Sequence, residues 1–343
     1  MATIEQKIGQ MINIGFYGDT IQCPAVKNVL EQIANNKIGG VTLFASNDNI
    51  KSPLQLKTLI QNLKSSSKNY PLSVAVDQEG GILQRLNSKN GFPNFKTAKY
   101  VAENMSATEA YQMYYELAGV LAEVGINFNF TPVLDMRRDY KSPAITQKRR
   151  SFGKTPEVVV KFAHQCIKAH DARQIISSLK HFPGHGSART DSHRGFVDVT
   201  NDWKDDELIP YRELITQELA RSIMIAHIFN KNLDAQFPAS LSKKVISSLL
   251  REKLGFQGVV ISDDFHMGAI RNNFSLAETV INAINAGIDI LIFSNNLGNP
   301  DLETPQKVIN LTIQAIQDGL ISEEQIEESF TRIVRLKSNF MPK

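Results

Sequence analysis

Eight short apolar segments, separated by stretches long enough for helices, constrain this chain more than any other feature. They are Met11–Phe16 (MINIGF), Val41–Phe44 (VTLF), Leu72–Val76 (LSVAV), Ile126–Phe130 (INFNF), Ile176–Lys180 (ISSLK), Ile223–His227 (IMIAH), Val259–Ser262 (VVIS) and Ile288–Phe293 (IDILIF). Most are too short for helices and several are rich in β-branched residues, which reads as buried strands. Helix boundaries fall between them. Ser242 precedes KKVISSLLREKL, which Gly255 stops; Ser275 opens a helix that reaches Gly287; Ser322 with Gln325 makes a capping box for a last helix to about Ser338.

Strands alternating with helices imply an α/β fold with a parallel sheet, closed as a (β/α)8 barrel of the TIM type. An open doubly wound sheet is the alternative. Neither G-x-G-x-x-G nor G-x-x-x-x-G-K-[ST], the phosphate fingerprints that favour it, follows any of these strands. With no low-complexity linker and no second run of strands after residue 295, residues 1–343 are expected to form a single barrel domain.

Composition removes several classes of function. Apolar residues make up 42% of the chain and charged ones 21%, which excludes a disordered protein. A net charge of +3 is too small for a nucleic-acid binder, which needs a clustered basic face. Cys23 and Cys166 are too few for a disulfide framework and are expected as buried free thiols. No apolar run is long enough to span a membrane. The opening MATIEQKIGQMINIGF lacks a basic segment followed by an apolar run and a cleavage site. The expected compartment is therefore the cytoplasm, or the periplasm or exterior if a leader precedes this sequence.

Polar residues gather where the apolar segments end: Asp77 after LSVAV, Lys180 and His181 after ISSL, His227 after IMIA, Asp263 and Asp264 after VVIS. In a barrel the carboxyl ends of all strands converge on one mouth, where the sites of this fold lie. Any one of these residues could merely cap a strand; four strand ends together suggest a site.

The stretch SLKHFPGHGSARTDSH, Ser178 to His193, is the densest in chemistry and admits three readings. A metal site is disfavoured, because Pro183 and Gly184 prevent His181 and His185 from sharing a helix face, and no H-E-x-x-H or C-x-x-C accompanies them. An anion cradle would use Gly184 and Gly186 for close backbone approach, with Lys180 and Arg189 supplying charge. In an acid–base device, Asp191 would orient His193 two residues on and stabilise its protonated form. Such a histidine on a glycine-rich loop, with one carboxylate nucleophile from a strand end, suffices for two-step cleavage of an acetal. Alternation along the strand does not decide between Asp263 and Asp264.

AVDQEGGILQRL, NFTPVLD, RRSFG, LKHFPGHG followed by DSH, PASLS and GFQGVVISDDFHMGAI occur in order between residues 76 and 270. Together they resemble glycoside hydrolase family 3, in its β-N-acetylglucosaminidase branch. The resemblance implies a retaining exo-β-N-acetylglucosaminidase acting on muropeptides or chito-oligosaccharides through a covalent glycosyl-aspartate. Asp263 would be the nucleophile, His193 the general acid and then base, and Asp191 its dyad partner. Asp77, Arg85, Arg150, Lys180 and His181 would bind the sugar. It implies no metal or organic cofactor, a carbohydrate as the only partner, and a monomer. A phosphorylase and a non-catalytic sugar-binding barrel are the alternatives.

The remaining polar residues get plainer expectations. His164 and His170 read as packing or surface groups on a helix, and His185 as a residue that orients the loop or a strand end. His266 reads as a candidate for lining the site, and Trp203 as a surface staple or part of a subsite. Asp206-Glu207 reads as the first turn of a helix rather than a catalytic pair. The run Arg137, Arg138, Lys141, Lys148, Arg149 reads as a solvated loop. Ile82, where many relatives carry a charge, and RGFVDVT after DSH depart from the family pattern and bear on what lies beyond the terminal sugar.

Overall fold

In a computed structural model, which describes residues 2–138, 142–190, 195–296 and 300–341, eight parallel strands close into a barrel in chain order. They are β1 (Ile12–Ile14), β2 (Gly40–Thr42), β3 (Ser73–Val76), β4 (Phe128–Asn129), β5 (Ile176–Phe182), β6 (Ser222–Ile225), β7 (Val259–Asp264) and β8 (Ile290–Phe293). The ring shuts where β1 pairs with both β2 and β8, with Ile14 opposite Val41 and Phe293. Every apolar segment singled out above overlaps one of these strands. Two run further than their apolar residues suggest, so Lys180 and His181 lie within β5, and Asp263 and Asp264 within β7.

Helices follow the strands and bury one face against them, as βαβ connection requires. The helix Leu276–Ala286 starts on a Ser275–Glu278 capping box and stops at Gly287, whose φ of 105° suits only a residue without a side chain. Glu323–Phe340 begins on the Ser322–Gln325 box and extends two residues past the expected end. Between Ser242 and Gly255 the chain winds as a wider π-helix, Lys244–Lys253, rather than an α-helix. Its start is nonetheless capped, as Val245 N donates to Ser242 Oγ at 3.2 Å.

A hairpin that the apolar pattern did not announce, Gln78–Gly80 with Leu83–Gln84, follows β3 and folds over the mouth. The side chains of Ile12, Ile14, Val41, Val74, Leu291 and Phe293 are fully or almost fully buried; truncating such a residue to alanine typically costs about 2–5 kcal/mol. Of the two thiols Cys166 is buried, but Cys23 is only partly so, with Sγ 3.8 Å from the Tyr17 carbonyl. Among the described residues no helix is long and apolar enough to cross a membrane.

Candidate active site

The carboxyl ends of the strands enclose a cavity of about 240 Å3. Asp77, just past β3, lines it with Lys180 and His181 of β5, Met224 of β6, Asp263 and Asp264 of β7 and Ser294 just past β8; Arg85 and Arg150 reach in from connecting segments. Six of the eight site residues expected from the sequence thus meet in one place. The other two, Asp191 and His193, lie outside the described residues.

One side of the cavity is a lattice of alternating charge. Lys180 Nζ donates to Asp77 Oδ1 at 2.8 Å and pairs with Glu79 Oε1 at 2.7 Å. Arg150 forks onto Glu79, with Nε to Oε2 at 2.9 Å and Nη2 to Oε1 at 2.7 Å, and its Nη1 donates to the Ala144 carbonyl at 3.0 Å. Arg85 Nη2 reaches Asp77 Oδ2 at 3.3 Å while its guanidinium lies 5.3 Å from the Phe44 ring centroid. Burial by itself would raise both carboxyls. The cations outweigh it: Lys180 and Arg85 hold Asp77 well below the usual carboxylate range, and Arg150 and Lys180 bring Glu79 down to about 2. Both stay ionised at neutral pH, so Asp77 is a fixed acceptor for neutral hydroxyls.

His181 is locked in one form. Its Nδ1 lies 2.7 Å from Asp135 Oδ2 and its Nε2 3.3 Å from Arg150 Nη2. Arginine can only donate, so Nε2 must accept and the proton sits on Nδ1, donated to Asp135. Asp135, with no exposed surface, also accepts the backbone N–H of His181 at 3.2 Å and of His185 at 2.7 Å. Burial opposes its charge, yet His181 and His185 together bring it down to about 2. His185 lines the same cavity; burial, aided by His181, pushes it down to about 4, so it is neutral at pH 7.

The adjacent aspartates of β7 differ in employment. Asp264 Oδ1 accepts from His266 N at 3.0 Å and Ser294 N at 2.9 Å, its Oδ2 takes the Ser294 hydroxyl, and its carbonyl binds His227 Nε2 at 2.9 Å. It fastens β7 to the chain leaving β8. Asp263 accepts the Asp264 backbone N–H at 2.9 Å and lines the cavity.

The structure revises several expectations. Lys180 is not an anion-binding charge: it is 1% exposed and neutralised by two carboxylates. Arg189, the other cation of that cradle, forks onto Asp202 at 2.6 and 2.7 Å. Arg138 is no solvated loop residue, since it forks onto Asp206 at 3.0 and 2.5 Å and reaches Glu207 at 3.2 Å. Asp206 and Glu207 stand in the turn Asp205–Leu208 that leads into a helix, as expected, and neither lines the cavity. Glu207 instead braces the start of the loop after β5: it takes the Ser187 hydroxyl, and burial raises its carboxyl to about 7. A side chain at Gly184 would come within 2.4 Å of Glu207 Oε2, so that glycine is required for close approach. Trp203 is a staple, its Nε1 donating to the Pro183 carbonyl at 3.1 Å. His170 is fully buried between Cys166 O, at 2.8 Å, and Asn129 Nδ2, at 3.0 Å, a packing role as read. His266 packs on Phe293 and accepts from Asn295 N, and does not line the cavity.

Sequence reasoning missed Glu79 and Asp135. Both occur in recognised stretches, DQEGG and PVLD, but only the positions of Arg150 and His181 reveal their use. A weak signal existed, in that three cations were assigned to the site with only one acid, Asp77, beside them.

A family model described as the glycosyl hydrolase family 3 N terminal domain matches residues 3–336. Beta-hexosaminidase A of Pseudoalteromonas piscicida is 31% identical, over 98% of this chain and 61% of that protein. A beta-hexosaminidase of Nitrosomonas eutropha is 34% identical, over 79% of this chain and 77% of its own length. Among solved structures, a family 3 beta-N-acetylglucosaminidase from a Paenibacillus species superposes with a TM-score of 0.89 at 30% identity, over 99% of this chain and 63% of that one. A family 3 member from Mycobacterium smegmatis gives 0.85 at 27% identity, over 98% and 97%. The chain therefore spans a little over three fifths of the Pseudoalteromonas and Paenibacillus proteins and nearly all of the mycobacterial one.

Proposed function

This chain belongs to glycosyl hydrolase family 3, and from that membership we propose that it is a retaining exo-β-N-acetylglucosaminidase. Its substrates are N-acetylglucosaminyl-anhydromuramoyl peptides or chito-oligosaccharides. The observation that carries the reading is a carboxylate, Asp263, facing a cavity whose opposite side is already charge-balanced. A terminal sugar offers hydroxyls, which need fixed donors and acceptors rather than a net charge. Asp77, Arg85, Arg150, Lys180 and His181 supply them without leaving an uncompensated ion when the site is empty.

Asp263 attacks the anomeric carbon as the glycosidic bond breaks, and the departing oxygen takes a proton from His193. Water then attacks the glycosyl-aspartate while His193, oriented by Asp191, removes its proton. Two inversions give net retention. In this reading the barrel's own residues carry the reaction, in a monomer and with neither metal nor organic cofactor. The hydrogen bonds of the Asp264 carboxylate with His266 and Ser294 support Asp263 rather than Asp264 as the nucleophile.

The test compares nitrophenyl and natural β-N-acetylglucosaminides. Replacing His193 by alanine should slow the natural substrate roughly 100-fold more than the nitrophenyl one, whose leaving group needs little protonation. Equal losses would overturn the acid role. Formation of a sugar-1-phosphate in phosphate buffer would overturn hydrolysis in favour of phosphorolysis.

A further inference from the structure

On the face of the barrel opposite the mouth lies a second recess, of about 530 Å3. Leu72, Asn127 and Ile175 line it, each immediately before β3, at the entrance to β4 or just before β5, so it opens at the amino ends of these strands. Leu72, Ile126 and Ile175 close its bottom from within the core, and the partly buried Pro71 and Phe340 give it apolar surface. Lys64, in the helix Pro53–Ser65, Lys68 just beyond it and Arg173 supply three cations, and no carboxylate lines the recess among the described residues.

These cations lack the carboxylate partners that Lys180, Arg85 and Arg150 have at the mouth. Among the described residues, Lys64, Lys68 and Arg173 form no side-chain ion pair, and Arg173 Nε is buried without an acceptor. The nearest acid along the chain, Asp171, is taken by Arg221 at 3.1 Å. Arg173 is nevertheless held in place: its guanidinium lies 3.8 Å from the Tyr115 ring centroid and rests against Gly119, where a side chain would approach Nη2 to 3.2 Å. Burial lowers the Lys64 ammonium below its ordinary value, a cost that an anion beside it would offset.

We propose that this recess binds an organic phosphate, its head between Lys64 and Arg173 and its apolar part against Pro71 and Phe340. A phosphate matches the site better than a carboxylate because its charge of about −1.5 to −2 answers more than one cation. Its oxygens also suit a fixed guanidinium fork. The site is separate from the mouth, so occupancy there by N-acetylglucosamine is independent of it.

The test is calorimetric titration of the full chain with phenyl phosphate, inorganic phosphate and phenol. Phenyl phosphate should bind saturably and more tightly than inorganic phosphate, phenol should not bind, and added N-acetylglucosamine should change nothing. Lys64→Met and Arg173→Gln, each checked for an unaltered circular dichroism spectrum, should weaken binding at least roughly tenfold. Lys68→Gln, at an exposed position, serves as a third variant should either of these fail to fold, and should weaken binding in the same direction. Any of four results would overturn the proposal: no saturable binding, affinity no better than inorganic phosphate, affinity unchanged in the folded variants, or displacement by N-acetylglucosamine.

Discussion

The two ends of the barrel bury charge in opposite ways. At the mouth, Asp77, Glu79, Lys180 and Arg150 are interlocked so that each cation touches at least one carboxylate. At the base, Lys337 of the C-terminal helix is 3% exposed and, among the described residues, meets only neutral acceptors, Gln10 Oε1 at 2.8 Å and the Gly39 carbonyl at 2.7 Å. The carboxylates of Asp77 and Glu79 thus stay ionised at neutral pH, while the base carries a charge that burial makes expensive. Burial pushes the Lys337 ammonium down to about 7. Permanent ions belong where neutral hydroxyls must be gripped; a lone ammonium tying the last helix to the chain before β1 and β2 need only donate hydrogen bonds.

The largest effect is expected at the mouth and on activity alone. Asp263→Asn should lower kcat by ~1,000-fold or more while the melting temperature stays close to that of the parent. A variant retaining most activity would remove the nucleophile from this account. Glu79→Gln comes next, because it leaves Arg150 and Lys180 short of countercharge in a buried setting. Denaturant titration should show a loss of about 3 kcal/mol, together with a raised KM for nitrophenyl N-acetylglucosaminide. If stability is unchanged, the mouth is not the interlocked lattice described.

A smaller effect separates Asp264 from its neighbour. Asp264→Asn should cost about 1–2 kcal/mol of stability, since it weakens the ties to Ser294 and His266, with a loss of activity well below that of Asp263→Asn. The smallest effect at neutral pH is at the base, and it is read as a slope. Between pH 7 and 10.5 the unfolded chain holds a proton on Lys337 that the folded chain has released. Stability therefore rises with pH through that window. Lys337→Met should lack this rise, by on the order of 2 kcal/mol between pH 7 and pH 10. Parallel pH profiles for parent and variant would place the ammonium in a more polar setting than the one described.

Much of the fold was legible because strand formation here follows local pattern. VTLF, LSVAV, VVIS and IDILIF are apolar, β-branched and bounded, and their order sufficed for a closed parallel barrel. The hairpin after β3 was not legible, because QEG and LQ are short and polar; it pairs across the tight Gly81-Ile82 connection. Six site residues were placed by their motifs and strand ends, and all six line one cavity. Lys180 was placed by its strand end and motif, but its partners were not legible: only Glu79, 101 positions earlier in the numbering, makes it half of an ion pair.

The amino-acid sequence by itself determined how many strands the barrel has, their order, and that acids and bases stand at their carboxyl ends, because hydrophobic period and strand length act over a few neighbouring residues. Tertiary structure alone decided which charges neutralise one another, which nitrogen of His181 bears the proton, and that Asp264 is tied down while Asp263 faces the cavity. Electrostatic and hydrogen-bond energies depend on separations of a few ångströms between groups such as Glu79 and Arg150, 71 positions apart, and no local pattern encodes that distance.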